Sequence, residues 1–206
     1  MKKLSLYIFL VLMLVGFSTS AYSYNLYKVG SITGRVWNDY GDYFIDKDIE
    51  ISVGSNGTEA TVRFNYEMGI GEIDIDYEFI IKGNEIVIEN NPSFNKLLAI
   101  IKKAIKWTKI AKENEADTTK SLGKDFCGRS DGWYNTYCYA SFFSHNGGKQ
   151  TDLIINISGG EYGAKKEKYY IDDINQKHLL KLLLEEIHNK IAHSIEQNKK
   201  SSDLFD

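Results

Sequence analysis

Four carboxylates recur at every second position in Glu72, Asp74, Asp76 and Glu78, alternating with Ile73, Ile75, Tyr77 and Phe79. A period of two is that of a β-strand, and it puts all four acids on one face. Neighbours on that face lie about 7 Å apart, too far to chelate one ion together. Glu85 and Glu89 extend the ladder on a second strand, after a reversal at Lys82-Gly83-Asn84. The simplest reading is a solvated face that resists edge-to-edge aggregation. The sharper one is a docking face for a cationic protein, with Asp74, Asp76 and Glu78 as its contacts. Asp46-Lys47-Asp48-Ile49-Glu50 also spaces its carboxylates by two. It lacks the sixth-position glycine and the distal glutamate of a calcium loop, and no metal site is expected.

Lys102, Lys103, Lys106 and Lys109 share one side of a helical segment that has no acid before Glu113. Such a side is either solvated or a contact for anionic lipid, lipopolysaccharide or an acidic partner. Cys127 and Cys138 are the chain's two cysteines, and an isolated pair in an oxidising compartment predicts one disulfide. Trp133, Tyr134 and Tyr137 sit in the loop this bond would close. Rigid aromatics there suit protein or sugar contact, because little entropy is lost on binding; the alternative is that they turn inward. Glu185 and His188 have the spacing of a metal half-site, but a di-iron bundle needs a second such helix. No G-x-S-x-G, H-E-x-x-H or phosphate-binding glycine loop is present, so no catalytic residue is singled out and no cofactor is expected.

These residues need elements to hold them. The Glu72–Asn90 hairpin is the centre of the expected fold, preceded by strands at Ser31–Trp37, Ile49–Val53 and Thr58–Tyr66. Asn91-Pro92 then switches the period: Asn91 is an N-cap, Pro92 a first helical residue, and three-and-four spacing continues to about residue 113. Residues 114–136 read as irregular, followed by strands at Tyr137–Phe143, Thr151–Ile157 and Lys168–Ile171 and a last helix over about Ile174–Gln197. The fold class is α+β: a curved antiparallel sheet of about six to eight strands, two long amphipathic helices on one face, and one disulfide.

Met1-Lys2-Lys3, the apolar run Leu4–Phe17 and the small residues Ser18 to Ala21 make a secretory signal peptide, with cleavage expected before Tyr24 or, as the second choice, before Tyr22. The expected organisation is therefore signal 1–23, one domain over 24–198, and a frayed tail over 199–206. Without the two signal lysines the net charge of −3 becomes about −5, which argues against a nucleic-acid partner.

Ser158-Gly159-Gly160-Glu161-Tyr162 resembles the S-G-x-x-Y loop of bacterial periplasmic lysozyme inhibitors. The resemblance implies that Ser158 and Tyr162 enter the cleft of a strongly basic enzyme, whose approach an acidic surface would assist. The functional expectation is an exported, periplasmic or secreted, non-enzymatic binding protein acting by stoichiometric protein contact, in the manner of an inhibitor or immunity protein. The alternatives are a carrier whose sheet wraps an apolar or lipid ligand, and a hydrolase of envelope polymers with two facing carboxylates.

Overall fold

A computed structural model describes residues 26–38, 41–56, 58–68, 71–81, 91–130, 136–159 and 165–202. Nine strands form one sheet: β1 (Tyr27–Asn38), β2 (Tyr43–Ser55), β3 (Glu59–Met68), β4 (Gly71–Ile80), β5 (Thr118–Lys124), β6 (Arg129–Ser130), β7 (Tyr137–His145), β8 (Gln150–Gly159) and β9 (Lys165–Ile171). Three helices accompany them: α1 (Pro92–Glu113), α2 (Ile174–Glu185) and α3 (Ile187–Ser202). This is the expected α+β class, with a disulfide joining Cys127 and Cys138. The expected last helix is two, broken at Glu186, whose backbone N–H caps α2 on Leu182 and Leu184 carbonyls.

All strand pairs are antiparallel, in the order β5-β7-β8-β9-β1-β2-β3-β4-β6. The alternation seen in the sequence places Ile32, Val36, Ile49, Ile51, Val62 and Phe64 among the buried residues of one face. The helices cover that face. Phe94 of α1 meets the rings of Tyr77 and Phe79 on β4, while Trp107, three turns on, meets Phe142 on β7. Strands near opposite ends of the sheet thus touch one helix, so the sheet is curled around α1. Tyr169 of β9 and Tyr66 of β3 meet edge-to-face at 5.3 Å, closing the interior across the curl.

The clasp of the curl is the segment between β5 and β7. Phe126 is buried and its carbonyl accepts from the Tyr77 hydroxyl at 2.8 Å. Cys127 next bonds to Cys138 on β7, and Arg129–Ser130 pair with Ile75 and Asp76 on β4. Gly128 is required here, because a Cβ would lie 2.0 Å from the Asp76 carbonyl oxygen. Asn91 caps α1, its side chain accepting from the N–H groups of Ser93 and Phe94 as expected. At the other end of α1 the β7–β8 turn packs tightly: Gly148 has a φ of +70°, and a Cβ there would strike the Ala111 carbonyl. Among the described residues no helix is long and apolar enough to cross a membrane.

Candidate functional site

The sheet's outer side, opposite the helices, carries the polar half of every strand. The acidic ladder is partly consumed within it. Arg63 on β3 grips Asp76 with two bonds, Nε to Oδ1 at 2.8 Å and Nη2 to Oδ2 at 2.7 Å, and its Nη1 lies 3.1 Å from Asp74. Asn65 donates to Asp74 at 2.8 Å. Asp76 is buried rather than wet, because the backbone at Gly128 and β6 lies against its strand. Only Glu78 of the three expected contacts is exposed. The second strand of the central hairpin, with Glu85 and Glu89, lies outside the described residues; among those described, β4 pairs with β3 and β6.

The lysine side of α1 is also partly engaged. Lys102 bonds Glu185 of α2 at 2.9 Å, Lys103 lies 4.6 Å over the Trp107 ring, and Lys109 meets Glu113 at 3.7 Å. Lys106 is exposed. Glu185 also accepts from Lys181 at 2.7 Å, and these two bonds lower its proton affinity. The break at Glu186 leaves Glu185 and His188 on different helices, so they form no half-site on a single helix. Among the described residues no group of three or more His, Cys, Asp or Glu could hold a metal ion.

Tyr137 is 59% exposed on the outer side of β7, where Tyr139 joins it at 49%. Trp133, Tyr134 and Tyr162 lie outside the described residues; Ser158 is half-buried and its hydroxyl reaches the Tyr137 carbonyl at 3.5 Å. The structure thus brings Tyr137 and Ser158 together as direct partners across β7 and β8. Their strands stand far apart in the sheet order from the β4 strand of Asp74 and Asp76, but the Cys127–Cys138 clasp folds the start of β7 back toward Asp76.

A site the motifs did not mark lies at the middle of the sheet. β1 and β9 pair through only two residues each, Arg35 with Tyr170 and Val36 with Tyr169. At this seam a cleft of about 630 Å³ opens, lined among others by Arg35, Phe44, Phe143, Asp152, Tyr170 and Asp172. Arg35 spans it. Its Nη2 lies 3.1 Å from Asp172 and 3.5 Å from Asp152, and its guanidinium sits 4.7 Å over the Phe44 ring. Phe44 meets Trp37 at 5.0 Å and Tyr170 at 5.1 Å, both edge-to-face, and Phe143 with His145 forms the far wall. Burial raises the proton affinity of Asp152, against the pull of Arg35.

Behind the cleft, Lys177 of α2 is fully buried, its ammonium donating to the carbonyls of Thr151 at 2.9 Å and Asp172 at 3.1 Å. Desolvation lowers its pKa to about 8. The sequence did carry one signal for this site: Asp152 is the single charge in the otherwise apolar and small run Thr151–Ser158. No family model, no curated protein and no solved structure matches the chain.

Proposed function

We propose that this chain is an exported, non-enzymatic binding protein that acts by stoichiometric contact with a cationic protein through the outer side of its sheet. One observation carries the reading: Trp37, Phe44, Tyr137 and Tyr139 stand exposed on a face that no helix among the described residues covers, the first two beside the exposed acids Asp46 and Asp48 and Tyr139 opposite Lys124. Exposed aromatics set in a charged surround are the composition of a recognition surface, where rings supply the energy and charges steer the approach. Asp48 on β2 and Glu78 on β4 give the β1–β4 half its exposed acids, since Arg63 satisfies Asp74 and Asp76 and Lys28 pairs with Glu50 at 2.6 Å. The interior of the curl is occupied by α1 and its aromatic neighbours, which favours protein contact over an enclosed lipid.

The test uses lysozyme as the basic probe. The oxidised chain should form a one-to-one complex in calorimetry. Raising the salt from 50 to 500 mM, or reversing charge at Asp48 and Glu78, should weaken that complex by at least about tenfold. No complex, or one indifferent to both changes, would sink the proposal.

A further inference from the structure

The charged side chains lining the seam cleft are Arg35, Lys112 and Lys149 on one side of the ledger and Asp152, Asp172 and Asp173 on the other. Lys177, buried behind Thr151 and Asp172, adds one cation whose charge its two carbonyl partners offset in part, so the field at the cleft keeps only a weak positive excess. The position a ligand cation would seek, over an aromatic ring and between two carboxylates, is already filled by Arg35 itself. What the cleft retains is hydrogen-bonding capacity. The Asp152 side chain is only 12% exposed and touches Arg35 at a long 3.5 Å, leaving lone pairs unused by that contact. A hydroxyl donor would satisfy those lone pairs without burying another charge.

The walls have a different character. Phe44 and Tyr170 meet edge-to-face on one side, with Trp37 touching Phe44 from outside the lining, and Phe143 and His145 stand on the other. A ligand that suits aromatic walls and a charged, nearly self-neutralised floor has apolar C–H faces and hydroxyl edges, and carries no net charge. The volume of about 630 Å³ falls within the roughly 300–1,000 Å³ that holds a drug-sized molecule.

We infer that the seam cleft is a saccharide site, taking two or three rings of a neutral oligosaccharide packed against the Phe44 and Tyr170 side chains with hydroxyls on Asp152 and Arg35. This goes beyond the protein-contact reading and stands without it. The full chain, disulfide intact, is titrated with chitotriose, maltotriose and cellotriose by calorimetry and tryptophan fluorescence, for which Trp37 at 5.0 Å from Phe44 is a reporter.

At least one trisaccharide should saturate. Phe44→Ala and Asp152→Asn should each weaken it by about tenfold or more, and Phe44→Tyr should retain it. Phe44 is 39% exposed, so its replacement leaves the fold intact even where Asp152→Asn does not, and circular dichroism checks both. Three results overturn the inference: no saturation by any of the three sugars up to about 10 mM, Phe44→Ala binding within about twofold of the parent, or saturation by inorganic phosphate or free lysine instead. Charge reversal at Asp48 and Glu78, outside the cleft, should leave sugar binding unchanged, which separates failure of this inference from failure of the protein-contact reading.

Discussion

Lys177 carries the sharpest consequence at the scale of single residues. Its amine is enclosed between β8 and the start of α2, and its pKa falls to about 8 from an ordinary 10.5. Between those values the unfolded chain holds more protons than the folded one, so raising the pH stabilises the fold. Tyr66, Tyr77 and Tyr169 work in the opposite sense. Burial raises all three, so above pH 10 the unfolded chain releases protons that the folded chain keeps, and stability falls. Urea unfolding across the pH range should therefore show stability rising from about pH 8, a maximum near pH 10, and a steep loss beyond it. Lys177→Met should abolish the rise and leave the loss; a Met variant that keeps the rise would show that another group is responsible. Lysine on a helix beside Leu180 and Leu184 gave no warning of burial in the sequence, because charge usually marks the solvated side.

At the scale of elements, the strands with strict alternation and the capped α1 were legible because one face of each is buried and the period follows from that. β5 was not. Thr118–Lys124 buries only Leu122, and an edge strand with one buried residue has no period to read. β6 is two residues long, held against β4 by its neighbours rather than by propensity. The break at Glu186 lacks glycine or proline, and the apolar stripe from Leu184 through Ile187 to Ile191 runs straight across it. The disulfide was predicted from composition and compartment, but its place was not: it joins β7 to the segment that packs on β4. Closing a loop of 11 residues should contribute about 3 kcal/mol. Reduction should lower the urea midpoint accordingly while far-ultraviolet dichroism in water stays close to that of the oxidised form. An unchanged midpoint would mean that the packing of Phe126 and Tyr77 holds the curl without help.

At the scale of the whole molecule, the seam cleft escaped sequence reading because its residues come from widely separated stretches. Arg35 and Phe44 belong to the first hairpin, Phe143 and Asp152 to β7 and β8, and Tyr170 and Asp172 to the end of β9. Each faces outward by alternation, but nothing local says that the last strand lies beside the first. The charge separation anticipated between an acidic sheet and a basic helix is softened by pairing within the fold, through Arg63 on one side and Glu185 on the other.

The placement of β9 between β8 and β1 also sets the order in which the chain can be completed. Until residues 165–171 arrive, two neighbouring strands present bare rows of amide and carbonyl groups, each a template for a stranger. A nascent or proteolysed chain ending before Lys165, which also lacks the helices that follow, should therefore pair with its own kind, and light scattering of a 1–164 fragment should report larger species than the full chain gives. The keystone is the last of the strands to be laid, and it is only seven residues long.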